Sequence, residues 1–159
     1  MITMPEDTID TVIEVPFGQL LVSASDHWVT GIELNTTRAS RVTAVSELIT
    51  NMSEQLRDYF VQAHNHWSLP LANQGTVFQN KVWSYLQTIP VGKTRTYAEV
   101  AISLNTSARA VGNACRANPF MIVVPCHRVI SSTSIGGYYG KTKGDEIMVK
   151  QWLLDHEQG

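Results

Sequence analysis

Ile122-Val123-Val124-Pro125-Cys126-His127-Arg128-Val129 decides how the rest of the chain is read. An apolar run stops at Pro125, whose ring fixes φ and removes an N–H, so it ends a hydrogen-bonded ladder and stiffens a turn. The cysteine that follows is expected at the end of a buried strand, rigidly held yet reachable. His127 and Arg128 beside it would favour thiolate over thiol, which makes a nucleophile. The same residues also fit a small buried cysteine closing a strand, with a solvated His-Arg pair next to it. Local composition leaves both readings open.

Motifs on either side separate them. Pro125-Cys126-His127-Arg128-Val129 resembles the active-site motif of the O6-alkylguanine-DNA alkyltransferases, also called methylated-DNA–protein-cysteine methyltransferases. Upstream, Gly75-Thr76-Val77-Phe78-Gln79, Ile89-Pro90-Val91-Gly92, Thr96-Tyr97, Ala108-Arg109-Ala110-Val111-Gly112 and Asn118-Pro119 look like that family's signatures in the family's order. Downstream, Gly136-Gly137-Tyr138, Trp152-Leu153-Leu154 and His156-Glu157 continue the match. The resemblance spans residues 75–157 and only loosely the residues before them.

A chain of 159 residues buries a real core as one domain or two small ones. Its 43% hydrophobic and 16% charged residues describe an ordinary globular protein. No apolar run reaches membrane-spanning length, and Met1–Asp7 lacks a basic region followed by an apolar one, so neither a membrane partner nor a secretory leader is expected. Two cysteines, Cys115 and Cys126, are too few for a disulfide framework and fit a reducing, cytoplasmic compartment. His27, His64 and His66 lack acidic or thiol company, and no cysteine precedes Cys115, so no metal is expected.

The net charge of −2 conceals an asymmetry. Residues 1–75 carry three basic and nine acidic side chains, residues 76–159 nine basic and five acidic. A basic half beside an acidic one points to a nucleic-acid surface on the basic part, or else to an uneven solvated surface.

The fold class read from these patterns is α+β. Ile9–Val15, Leu20–Ser25 and Trp28–Leu34 are expected as three short strands, with turns at Phe17-Gly18 and Ser25-Asp26. Val45, Leu48, Ile49, Met52, Leu56, Tyr59 and Phe60 recur at helical spacing. Residues 64–75, broken by Pro70 and closed by Gly75, form the expected linker between an N-terminal α/β domain (1–72) and a mostly helical C-terminal domain (75–159). The resemblance implies a ribonuclease-H-like arrangement for the first domain. In the second, Thr76-x-x-Gln79 and Thr96-x-x-Glu99 are capping boxes, and Ser107 caps a further helix to about Ala117. Two short helices joined by a turn at Asn105-Thr106 outline a winged-helix-like helix-turn-helix. Its second helix is built from small residues, which allow close approach to a groove or simply tight helix packing.

What the resemblance implies is specific. The protein would repair double-stranded DNA containing O6-alkylguanine, and O4-alkylthymine, by moving the alkyl group irreversibly to its own Cys126. Catalysis would rest on Cys126, His127, Glu157, Tyr97 and Asn118. Adjacent residues do not easily face each other, so a water between the Cys126 thiol and the His127 imidazole would complete the relay, with Glu157 orienting the ring. Tyr97 would donate to the leaving base, and Asn118 would hold the active-site turn. DNA contacts fall to Arg109, Tyr97, Ala108, Ala110, Gly112, Arg116 and Arg128, with Arg109 filling the space left by a flipped nucleotide. The base pocket falls to Tyr97, Val129, Gly137, Tyr138 and Tyr139. The thioether product has no carbonyl for water to attack, so a monomeric protein would act once and be consumed. No cofactor is implied, because the DNA supplies the alkyl group. One departure stands out: the segment from Tyr139 to Val149 is longer than the family's. A noncatalytic lesion-sensing protein and a cysteine hydrolase are the alternative readings.

Overall fold

A computed structural model of the chain describes residues 8–35 and 46–159. Met1–Asp7, Val45, Arg38 and Arg41, all used in the sequence reading, lie outside the described residues. The chain divides into two compact units, residues 1–74 with 119–121, and residues 75–118 with 122–159.

In the first unit, alternating apolar residues make strands β1 (Ile9–Val15), β2 (Gly18–Ala24) and β3 (Val29–Leu34). They form an antiparallel meander in the order β1-β2-β3, from Ile9 opposite Ala24 to Val15 opposite Gly18, and with Leu20 opposite Leu34. Helix α1 (Glu47–Val61), capped by Ser46, buries Ile49, Met52, Leu56 and Tyr59 in one stripe. Its core partners include Leu20, Val22 and Ile32, none more than 1% exposed. Each such side chain contributes about 1.5–3 kcal/mol, so Leu56→Ala would cost about 2–5 kcal/mol. The outer edge of β3 is covered by short parallel pieces, which leaves little of it open to pairing. Val29 N–H donates to Pro70 O (2.8 Å), Ile32 N–H donates to Pro119 O (2.9 Å), and Met121 N–H donates to Ile32 O (3.1 Å).

In the second unit, both capping boxes form as the sequence predicts. Thr76 and Gln79 open helix α2 (Val77–Leu86); Thr96 and Glu99 open α3 (Tyr97–Ser103). Ser107 caps α4 (Ala108–Arg116). Strand β4 (Arg95–Thr96) pairs in parallel with β5 (Val129–Ile130), a pairing that two-residue strands do not announce in sequence. Helix α5 (Asp145–Glu157) closes the unit and takes up the last part of the long 139–149 segment. The core is Val82, Trp83, Leu86, Ile89, Val100, Val111, Ile122, Val129 and Leu153.

The apolar run before Cys126 differs from expectation. Ile122–Val124 is buried turn, not strand, and Ile122 has φ 76°. A short apolar run reads the same in a buried strand and in a buried turn, because periodicity carries no signal over three residues. Pro125, at φ −83° and ψ 64°, sits at the centre of an inverse γ-turn in which Cys126 N–H donates to Val124 O (2.8 Å). One turn of 3-10 helix (Cys126–Arg128) follows at once.

Candidate active site

Cys126 stands at the start of that 3-10 turn, 3% exposed, and lines a cavity of about 220 Å³. Asn118 fixes it from α4's end: its Nδ2 donates to Val124 O (2.8 Å) and to Cys126 Sγ (3.3 Å). Burial pushes the Cys126 thiol up, and Asn118, Tyr139 and the charge of Lys150 only offset this. The expectation that flanking positive charge yields a resting thiolate is therefore corrected. The resting group is a thiol, and the site needs a base.

His127 supplies one. The ring is fully buried, and its Nε2 lies 2.9 Å from Glu157 Oε2. Burial holds the imidazole below its ordinary value and outweighs the opposing pull of Glu157, so the ring is neutral near pH 7. Burial pushes the Glu157 carboxyl up, but hydrogen bonds from Arg128 and His127 prevail and hold it well below the usual carboxylate range. A carboxylate only accepts, so the proton is on Nε2 and the lone pair on Nδ1. Nδ1 is buried and bonded to no protein group.

Arg128 is a correction. Predicted at the DNA, it is fully buried: Nε and Nη2 donate to Glu157 Oε1 (2.8 Å) and Oε2 (2.7 Å), and Nη1 donates to Ile89 O (2.7 Å). Its charge holds Glu157 ionised inside the unit. Val129 is a second correction: it is buried and absent from the cavity wall, where only its carbonyl matters. The remaining predicted pocket residues, Tyr97, Gly137, Tyr138 and Tyr139, line the cavity with Cys126. Gly112 and Arg116 of α4 line it too, while Ala108 and Arg109 are exposed and Ala110 half-buried near the start of that helix.

Tyr97, first residue of α3, has a hydroxyl 3.4 Å from Gly137 O, a weak bond that a better acceptor would displace. Burial, then the neighbouring cysteines, raise it to about 12, so it remains a donor at neutral pH. Gly136 (φ 75°) lets the chain pass under it; a Cβ there would stand 3.1 Å from Tyr97 Cε2.

Two functional positions escape the sequence reading. Lys150 is fully buried; Nζ donates to Val129 O (2.7 Å) and Gly137 O (2.8 Å) and lies 5.8 Å from the Tyr97 ring centre. Burial lowers it to about 8, against the pull of the two cysteines. The signal was present: Lys150, Leu153 and Glu157 recur at i, i+3 and i+7, so two charges occupy α5's inward face. Cys115 is the other. It is 7% exposed on α4 and lines the same cavity as Cys126, with its thiol raised by burial. Tyr139 (φ 50°) and Gly140 (φ 78°) form a two-residue turn closed by Tyr138 and Lys141, N···O 2.9 and 3.0 Å. The left-handed tyrosine costs about 1–2 kcal/mol.

A larger cavity in the first unit, about 600 Å³ along Gln55, Asp58 and His64–His66, holds no nucleophile. His64 is occupied there at both nitrogens, by Gln55 O (3.2 Å) and His66 N–H (3.1 Å). Among the described residues no group of three or more His, Cys, Asp or Glu is placed to hold a metal.

Comparison with known proteins fits this geometry. Residues 77–159 match the family model of the 6-O-methylguanine DNA methyltransferase DNA-binding domain. The constitutive methylated-DNA–protein-cysteine methyltransferase of Bacillus subtilis is 33% identical over 93% of this chain and 94% of its own. The chain belongs to the methylated-DNA–protein-cysteine methyltransferase family. A methyltransferase of this family from Methanosarcina barkeri is 36% identical over 92% of this chain and 95% of its own. The methyltransferase fold recurs in the O6-methylguanine methyltransferase of Mycobacterium tuberculosis: TM-score 0.80, 31% identity, 96% of this chain and 93% of that one. The Mycobacterium tuberculosis protein solved in complex with DNA has TM-score 0.78 and 35% identity, covering 92% of this chain and 91% of that one.

Proposed function

We propose that the protein repairs DNA by transferring the alkyl group of O6-alkylguanine to Cys126 Sγ, once and irreversibly. The observation that carries this is a buried relay beside a cavity. Glu157 holds His127 with its proton on Nε2, leaving a buried Nδ1 lone pair next in sequence to a cysteine that lines a base-sized space. A water between Sγ and Nδ1 would pass the thiol proton to the imidazole, and Arg128 and Glu157 would hold the resulting imidazolium. The thiolate then attacks the sp3 carbon on O6. The S–C bond forms, the C–O6 bond breaks, and the electron pair leaves on the guanine ring, where the Tyr97 hydroxyl donates to a ring nitrogen. The thioether has no electrophilic centre for water, so the protein is consumed.

Reaching O6 requires the nucleotide to leave the stack, at a cost of a few kcal/mol. Arg109, exposed in the first turn of α4, is the side chain we assign to the gap it leaves. A cysteine hydrolase would share the Cys-His pair but would regenerate the thiol and turn over.

Intact-protein mass after incubation with O6-methylguanine duplex tests the reading. The mass should rise by one methylene, mapped to Cys126, at one equivalent and no further. An unchanged mass, or a label on Cys115, overturns it.

A further inference from the structure

Tyr139 is the one residue of the cavity wall that the reaction just described leaves without a task. Its backbone is left-handed at the first central position of a two-residue turn, where asparagine, aspartate or glycine is favoured. The turn is seated against Arg116, since a Cβ on Gly140 would meet Arg116 Nε at 2.7 Å. The Tyr138 ring meets the Tyr139 ring edge-on, 4.7 Å between centres at 69°. Turn, neighbour and arginine together fix where the Tyr139 ring points. The hydroxyl at its end is buried, makes no hydrogen bond of regular geometry, and lies near enough to Cys126 to favour the thiolate. A strained backbone that delivers an unsatisfied buried hydroxyl to a reactive sulfur marks a functional constraint.

Substitution at an sp3 carbon puts the attacking sulfur and the departing O6 on one line. Anything on that carbon larger than hydrogen projects sideways, into the shell of protein groups around Sγ. That shell contains Asn118, locked by its second bond to Val124 O, and Tyr139. At about 220 Å³ the cavity falls below the ~300 Å³ at which sites enclosing drug-sized ligands begin. A flipped base takes up that space and leaves little for a ring on the alkyl carbon.

Resting on the alkyl-transfer reading above, we propose that Tyr139 sets the size limit of the alkyl group, admitting methyl and turning away benzyl and similarly bulky groups. The length of the 139–149 segment, which departs from the family, thus alters which lesions the site accepts.

The test is the rate of Cys126 alkylation, read by intact mass, with duplex DNA carrying O6-methylguanine or O6-benzylguanine. Wild-type protein is compared with Tyr139→Ala, Tyr139→Gly and Tyr139→Phe. The benzyl-to-methyl rate ratio should rise roughly tenfold or more in Tyr139→Ala and Tyr139→Gly, the scale of a methylene or two of pocket space. Tyr139→Phe keeps the ring, so its ratio stays near the wild-type value while methyl transfer slows for want of the hydroxyl. Glycine suits the positive φ and keeps the comparison available if the alanine variant does not fold. A ratio unchanged in the glycine variant, with wild-type protein methylated on Cys126, overturns the size limit alone. Wild-type protein that gains no methyl group overturns the alkyl-transfer reading, and the size limit with it.

Discussion

Arg128 and Glu157 meet fork to fork inside the second unit, Nε to Oε1 at 2.8 Å and Nη2 to Oε2 at 2.7 Å, and neither side chain is more than 1% exposed. Bidentate geometry of this kind satisfies both carboxylate oxygens in parallel. Oε2 also accepts from His127 Nε2, so one carboxylate serves a structural pair and a catalytic ring. Arg128 acts on the reaction through Glu157, as a positioning residue.

Removing the arginine leaves a buried carboxylate without its cation. Arg128→Ala should lower unfolding free energy by about 3–5 kcal/mol, the cost of breaking a buried pair from one side. Urea unfolding at neutral pH measures it. A loss below about 1 kcal/mol would place the fork among solvated pairs, which contribute little.

Acid should destabilise the fold in two stages. His127 is held neutral below its ordinary 6.5, so under that pH the unfolded chain binds a proton the folded one refuses. Stability then falls as pH falls, by at most about 1.4 kcal/mol per pH unit. Glu157, depressed from 4.5, adds a second loss of the same sign below that value. Urea midpoints between about pH 7.5 and 3.5 test this against His127→Asn, which should flatten the first stage. Coincident slopes for the two proteins would remove His127 from the account.

How much of this was legible in the sequence depends on the reach of each interaction. Thr76 with Gln79 and Thr96 with Glu99 are readable because a capping box closes within three residues. The meander β1-β2-β3 is readable because alternation and turns are local. Arg128 was misplaced because its partner lies 29 residues away, and a charge beside a cysteine reads as solvated until that partner is found. Tyr139 was correctly assigned to the pocket, but its positive φ and the seat on Arg116 depend on a turn that its own letters disfavour.

Cys115 and Cys126 share one cavity, and only Cys126 has the Asn118 donor. Cys126→Ala should abolish methyl uptake while leaving affinity for duplex DNA nearly unchanged. Cys115→Ala should keep single-turnover rates within about threefold, an effect under 1 kcal/mol on the barrier. Mass spectrometry and a DNA-binding titration on both variants decide it. Loss of uptake in Cys115→Ala as complete as in Cys126→Ala would make the acceptor assignment wrong.

Arg109 and Tyr97 separate base flipping from chemistry. Arg109 is exposed on α4 and remote from the Glu157–His127 relay in role, so its removal matters only where a duplex must be held open. Opening costs a few kcal/mol in a duplex and nothing comparable in a single strand. Arg109→Ala should therefore slow methyl transfer from duplex O6-methylguanine roughly tenfold or more, at about tenfold per 1.4 kcal/mol, and leave the single-stranded rate near wild type. Tyr97→Phe removes the donor to the leaving base, so it should slow both substrates alike, by about a hundredfold or somewhat more. Single-turnover rates for both variants on both substrates give four numbers. Equal slowing of Arg109→Ala on duplex and single strand would mean that the arginine shapes the cavity and does not hold the duplex open.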